Sequence, residues 1–358
     1  MRIYIITILV LFASCSKKAE LSTITFQRDL WKINDSTYIS YRPDPLRFAV
    51  ESNVSIFIGD DDILVVDAGG TPEGGRQIIN QIKSISSKPV KYLVNTHGHG
   101  DHTMGNQAFK EAYPKIQIIS HPWTVKYLTT ETGGINYIHN YPQSTIDYLS
   151  EEVKRLQKEA EPGYEQVVQN LQQHIDVDAL FRFNQWKEVK ITPADQTVDR
   201  ELSINLGNRE FRIMFLGQGD TPGDLWIYLP NEKILCSGDA LVNPIPYGYS
   251  RQPIEWLETL KKVKLIDFKT IIPGHGDLLS GNDYLTQMIA LLEFDKSLAQ
   301  AAISENKPIE SVRSDPGVKQ FEQLFAKGNP VWRYYFYEYF INPNTERFYE
   351  ELNKGISL

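Results

Sequence analysis

The segment NTHGHGDHTMGN, Asn95 to Asn106, constrains the fold more than any other stretch of the 358-residue chain. It follows KYLVN, Lys91 to Asn95, which reads as a buried strand, and it stands where a helix starts. Four potential ligands fall between His97 and His102. His97 and His99, two apart on an extended turn, can face one cation, while Asp101 and His102 can turn toward a neighbour; imidazole and carboxylate are both zinc ligands. Gly98 and Gly100 let the backbone bend tightly around them. Three imidazoles and a carboxylate at this density suit neither an apolar core nor a solvated face.

The surrounding pattern is α/β. Between Trp31 and Asp67 the runs TYISY, VSIFIG and DILVVD are β-branched and aromatic, as strands in hairpins are. TPEGGRQIINQIKS then places Ile78, Ile79 and Ile82 at helical spacing. After Glu201, FRIMF, LWIYL, KILCS and TIIP each read as short strands ending in turn residues. Two helices are expected between these halves, over about 144–177. Ser144 and Asp147 stand there at capping-box spacing, and Ile146, Leu149, Val153 and Leu156 mark one face. Pro162 and Gly163 break the pattern before Tyr164, Val167, Val168, Leu171 and Ile175 resume it. The tail from Tyr284 is expected to be helical, with the aromatic run VWRYYFYEYF, Val331 to Phe340, as core.

Further landmarks, in chain order, make the sequence resemble the metallo-β-lactamase superfamily, whose hallmark is H-x-H-x-D-H followed by isolated ligands. They are DAGG at Asp67 to Gly70, SGDA at Ser237 to Ala240 and PGHG at Pro273 to Gly276. The resemblance covers most of Trp31 to Gly281. It implies an αββα sandwich with metals at one edge between two sheets. The domain would cover 31–281 with the helical insertion inside it, and a helical C-terminal extension, 282–358, would pack on it. It also implies that Asp239 bridges two metals and that His275 is the last ligand of the second.

GQGDTPGD, Gly217 to Asp224, resembles the family's G-x-G-H-T-P-G-D segment with Asp220 in place of the ligand histidine. Three readings stand: Asp220 completes the first metal with His97 and His99, that metal is weak and the second dominates, or Asp220 only caps the following turn. If Asp220 ligates, one metal takes His97, His99 and Asp220, the other takes Asp101, His102 and His275, and Asp239 lies between. Three carboxylates suit harder ions. The cofactors expected are two divalent metal ions, zinc first, with manganese or iron as alternatives.

Two metals that hold a bridging water lower its pKa and present hydroxide to a carbonyl carbon or a phosphorus. The expected function is a metal-dependent hydrolase acting on an ester, lactone, amide or thioester bond of a small molecule, with Asp101 steering or accepting a proton. The alternatives are a mononuclear iron oxygenase of the same superfamily, which uses fewer ligands, and a binding protein with a degenerate metal site. His121, after IQIIS, and Tyr247 and Tyr249, in NPIPYGYS, are candidates for a substrate pocket, with structural packing as the alternative for each. His139 reads as part of a cleft loop and His174 as solvent-facing. Cys236 reads as a small buried residue rather than a nucleophile.

The net charge of −8 argues against an electrostatic grip on nucleic acid. Cys15 and Cys236 are the only cysteines, which rules out a disulfide framework. At the N-terminus, Arg2 precedes an apolar run from Ile3 to Phe12 that is too short to span a bilayer. The segment FASC resembles the bacterial lipobox, with Phe12 where leucine is usual. This implies a signal segment over 1–15, a linker over 16–30, a lipid on Cys15 and export to a bacterial membrane, facing the periplasm. The alternative is a buried N-terminal strand with an incidental cysteine. The partners expected are a small-molecule substrate and, through the lipid, the membrane.

Overall fold

The structure is a computed structural model that describes residues 28–41, 51–131, 133–161, 163–177 and 183–356. The signal segment and Cys15 lie outside the described residues, as does most of the expected linker.

Short, strongly apolar strands build two sheets. β1 (Asp29–Asn34), β2 (Thr37–Tyr41), β3 (Val54–Ile58), β4 (Ile63–Val66), β5 (Val90–Val94), β6 (Gln117–Ser120) and β7 (Gln196–Thr197) form the first in that order. The second runs β13-β12-β11-β10-β9-β8, from β8 (Glu201–Leu206), β9 (Arg209–Met214), β10 (Trp226–Leu229), β11 (Ile234–Gly238), β12 (Thr270–Pro273) and β13 (Leu279–Ser280). β1 to β4 are antiparallel, β4 to β7 are parallel, and β11 and β12 form a second parallel pair. Parallel neighbours need crossovers, and the helix Pro72–Ile85 supplies the one between β4 and β5. Thr71 caps that helix, its Oγ1 accepting from Gly74 N at 2.9 Å.

Every residue of β4 and of β10 is buried, as strands covered on both faces require. Between the sheets Phe57, Leu64, Val66 and Val94 meet Phe211, Ile213, Ile227 and Ile272. The outer face of the first sheet, with Val54, Ile56, Val65 and Leu93, lies under Ile78, Ile79 and Ile82, and under Phe109 of the helix Asn106–Ala112. The outer face of the second sheet, with Trp226, Tyr228, Leu235 and Ile271, lies under the helices Pro253–Val263 and Asp283–Ser304. The layers are helix, sheet, sheet, helix.

The inserted helices are Tyr141–Glu159 and Tyr164–Val177. The first starts at Tyr141, so the expected capping box is corrected. Ser144 Oγ donates to the Asn140 carbonyl at 3.2 Å and Asp147 accepts from Gln143 at 2.8 Å, both one helical turn away. Leu149, Val153, Leu156, Val167 and Leu171 share a core with Tyr334, Tyr335, Phe336 and Phe340 of the C-terminal aromatic run. That run forms the helix Pro330–Tyr335 and a π-helical turn, Phe336–Ile341. Tyr334 Oη donates to Glu152 at 2.7 Å and Asn170 Nδ2 donates to Tyr335 Oη at 2.8 Å, so insertion and tail are joined by buried polar bonds as well. His174 is corrected from solvent-facing to buried, at 5% exposure. It follows Val167 and Leu171 on one helical stripe, at positions i, i+4 and i+7. Among the described residues no helix is long and apolar enough to cross a membrane.

The parallel strands set up the site. Asp67 follows β4, His97 to His102 follow β5, Asp239 follows β11 and His275 follows β12, so the carboxyl ends of both parallel pairs open onto one place.

Candidate metal centre

Two groups of side chains converge at that edge: His97, His99, Asp220 and Asp239, and Asp101, His102, Asp239 and His275, with the facing atoms of each group within 4.8 Å of one another. In the first, His99 Nδ1 lies 3.0 Å from His97 Nε2 and 3.2 Å from Asp220 Oδ2. In the second, His275 Nε2 lies 3.3 Å from His102 Nε2 and 3.0 Å from Asp101 Oδ2. Asp239 belongs to both. Its Oδ2 stands 3.6 Å from His97 Nε2, and its Oδ1 stands 3.2 Å from His102 Nε2 and 3.3 Å from His275 Nε2.

The far side of each ring fixes what the near side presents. His102 Nδ1 donates to Asp67 Oδ2 at 2.8 Å, and His275 Nδ1 donates to the Glu51 carbonyl at 3.2 Å. His97 Nδ1 donates to Thr96 Oγ1 at 3.0 Å, which itself donates to Asp67 at 2.9 Å. With Nδ1 engaged on the far side, His97, His102 and His275 each aim Nε2 into the site, the atom a metal would take. Two positions must be glycine for this approach. A Cβ at Gly274 would stand 2.0 Å from Asp239 Oδ1, and one at Gly238, where φ is +51°, would stand 2.6 Å from Thr96 Oγ1.

The charges call for a cation. Both oxygens of Asp220, and Oδ1 of Asp239, are buried with no hydrogen-bond partner. Unpaired buried carboxylate oxygens are costly, and a bound divalent ion satisfies them. Burial, then Asp224 and Asp239, push the Asp220 carboxyl well above its ordinary range. Burial opposes charge on His102 and His275, but the surrounding carboxylates outweigh it: His102 is held well above the ordinary value by Asp239, Asp67 and Asp101, and His275 rises to about 9. His97 is held well below its ordinary value by burial and by its histidine neighbours, against the pull of Asp239, which keeps its lone pair free. The donor set therefore fits two divalent ions, with Asp239 reaching both.

Asp220 does not cap its turn. Asp224 does so, accepting from Thr221 N at 3.1 Å and from Thr221 Oγ1 at 2.6 Å. Burial raises the Asp224 carboxyl to about 7. Asp220 is left facing His97 and His99.

The other expected residues fall as follows. Tyr247 stands edge-on to His99, centroids 6.5 Å apart, and packs on Tyr249 at 4.8 Å, while Tyr249 is 44% exposed. His121 is in neither ligand group: its Nδ1 accepts from Trp123 N at the start of the helix Pro122–Thr129, and its ring lies on Phe215 and beside Gly223 of the turn that carries Asp220. His139 is corrected from a loop residue to the exposed last residue of the helix Gly134–His139, whose Ile138 is buried. Cys236 is buried, its thiol pushed up to about 12 by burial. Four partners were missed from the sequence: Asp67, Thr96, Asp224 and Glu51. Asp67 stood in the quoted DAGG motif, and its place at the end of an apolar strand, one strand from the histidines, is the signal that could have found it.

The model of the metallo-beta-lactamase superfamily matches residues 48–275, a stretch that contains all seven candidate ligands. The chain belongs to the metallo-beta-lactamase superfamily. Among curated relatives of this superfamily member, a linear primary-alkylsulfatase of Pseudomonas sp. (strain ATCC 19151) is 23% identical over an alignment of 248 residues that covers 64% of this chain and 42% of the relative. The alpha subunit of a 2,4-dinitroanisole O-demethylase of Nocardioides sp. (strain JS1661) is 20% identical over 63% of this chain and 53% of its own length. The chain thus spans about half, or less, of these relatives. In fold it is similar to the stereoselective inverting sec-alkylsulfatase Pisa1 of Pseudomonas sp., with a TM-score of 0.63, 16% identity, and coverage of 90% of this chain and 50% of that one. That likeness extends beyond 48–275 and so takes in helices outside the family match.

Proposed function

We propose that this superfamily member is a metal-dependent hydrolase of an ester-type bond in a small molecule, with alkyl sulfate esters as the substrate class to test first. The observation that carries the hydrolase reading is Asp239, whose two oxygens face two separate ligand groups. The relatives named for alkyl sulfate hydrolysis support the choice of ester.

His97, His99 and Asp220 would hold one ion, Asp101, His102 and His275 the other, and Asp239 both. When bound, the ions supply Lewis acidity and a water of lowered pKa. Zinc is the first ion to test, with manganese and iron beside it because Asp220 is a harder donor than imidazole. The chain's own side chains do the rest. Asp67 and Thr96 hold the histidine tautomers. Asp101 is the most exposed of the three carboxylates, at 13% against 7% for Asp239 and 1% for Asp220. Burial opposes its charge, yet His102 and His275 hold it ionised, well below the usual carboxylate range, which is the form a metal ligand needs and makes it a ligand rather than a strong base. Tyr247 beside His99, and the stacked pair Trp123 and Tyr127 beside Gly98, offer apolar surface to an alkyl group and exclude water from it.

Two complete groups favour this reading over a mononuclear oxygenase, which needs only one. The lipid anchor on Cys15 and the periplasmic location stay in the proposal on the N-terminal sequence alone. The test is a panel of primary and secondary alkyl sulfates, carboxylic esters, lactones and a β-lactam, run on metal-loaded and chelated protein. Chelator-sensitive turnover of a sulfate ester is the expected result; oxygen uptake without hydrolysis would overturn it.

A further inference from the structure

The ligands Asp101 and His102 come from the first sheet, whereas Asp239 and His275 come from the second. One short segment outside the ligand set ties the two sides together. Immediately before β3, the Glu51 carbonyl accepts from His275 Nδ1 at 3.2 Å. Ser52 Oγ donates to the Asp101 carbonyl at 2.8 Å. Asn53 N donates to the Gly274 carbonyl at 2.7 Å, and its Nδ2 donates to the carbonyls of Pro273 at 3.1 Å and Gly276 at 2.8 Å. Three successive residues therefore grip the backbone of Asp101, the ring of His275 and the residues on either side of His275.

The segment is itself anchored. Arg28 pairs with Glu51 at 3.2 Å, donates to the Ser52 carbonyl, and holds Ser40 through Nε at 2.9 Å. Glu51 Oε2 also accepts from Gly70 N at 2.8 Å, beside the loop that carries Asp101. Arg28, Glu51, Ser52 and Asn53 are all buried. A buried ion pair is a poor source of stability, since the desolvation of both charges offsets their attraction, so what it supplies here is orientation.

We propose that Glu51, Ser52 and Asn53, anchored by Arg28, form a positioning brace that sets the spacing of Asp101 and His275 and thereby the affinity for the second ion; this rests on the two-ion reading above. The first ion's private ligands, His97, His99 and Asp220, have no bond to the brace among the described residues. The brace therefore acts on one ion and not on the other. None of its residues is a catalytic residue.

The test is zinc titration of the metal-free full chain, followed by native mass spectrometry, with thermal melts of each metal-free protein. Asn53→Ala should bind the second ion at least about tenfold more weakly than wild type while the first binds unchanged, as loss of an outer hydrogen-bond partner does elsewhere. Ser52→Ala, which removes only one hydroxyl, should show the same selective loss to a smaller degree, and it serves where Asn53→Ala fails to fold. A purely structural role would lower the metal-free melting temperature and weaken both ions together, and that result overturns the brace. Wild-type affinity for both ions in the two variants overturns it as well. If the wild type takes up only one ion, the two-ion reading falls and the brace with it; two ions in wild type, with the second bound at wild-type affinity in both variants, sink the brace alone.

Discussion

Asp220 Oδ2 lies 3.2 Å from His99 Nδ1, at the position where the motif that the segment Gly217 to Asp224 resembles carries a histidine. Both Asp220 oxygens are buried without a hydrogen-bond partner, while Asp224 takes over the turn at Thr221. Asp220 is therefore freed for a cation.

Asp220→Ala should cost the first ion and leave the second, read by metal analysis after dialysis. Asp220→His should restore the first ion and shift preference toward zinc, since imidazole is softer and neutral. Two ions and full turnover in the alanine variant would remove Asp220 from the ligand set.

Asp67 serves both groups, directly through His102 and through Thr96 to His97. It also sits at φ +65°, which Asn tolerates far better than Ala. Asp67→Asn should weaken ion binding modestly. Asp67→Ala should weaken it by about 10 to 100-fold and also destabilise the metal-free protein by about 1–2 kcal/mol, as titration and thermal melts would record. Equal behaviour of the two variants would contradict the orienting role.

Leu156 is fully buried where the insertion meets the C-terminal aromatic run. Leu156→Ala should cost about 2–5 kcal/mol in denaturant unfolding. The transition should stay single, because insertion, tail and second sheet share one core. A separate early transition would mean that the insertion folds on its own.

Asp295 gives a pH test away from the metal centre. Burial raises its carboxyl to about 6, although Thr345 and Asn344 donate to it at 2.7 Å each and pull the other way. A carboxyl raised in the folded state contributes stability that is full below its ordinary value of 3.8 and is lost as the pH rises through about 6. Relative to Asp295→Asn, metal-free wild type should lose about 2–3 kcal/mol between those limits and nothing further above them. Parallel melting curves for the two proteins across this range would contradict the assignment.

The histidine-rich turn was legible because four donors in six residues have no other use, and the α/β class was legible because each strand is short, β-branched and bounded by turn residues, whereas the αββα order came from the family resemblance. Asp239 and His275 were reached through family order, not through local pattern, since a single Asp or His after a strand says little by itself. The residues that orient the ligands were hidden for a different reason. Asp67 acts on His102, and Glu51 on His275, across chain separations of 35 and 224 residues, which no local periodicity reports. His174 misled because one polar residue on an apolar stripe looks like a boundary until the stripe is seen to be covered. The capping-box spacing at Ser144 misled because serine and aspartate also make bonds inside a helix.

The shared carboxylate is the centre of the account, and the ion content of Asp239→Ala beside wild type tests it most directly. Metal-free protein, reloaded with zinc, dialysed and analysed by elemental mass spectrometry, should hold close to two ions per chain in wild type and fewer than one in Asp239→Ala, because both groups lose a ligand at once. Retention of two ions by Asp239→Ala, or of one ion while the other leaves cleanly, would show that Asp239 does not join the two groups.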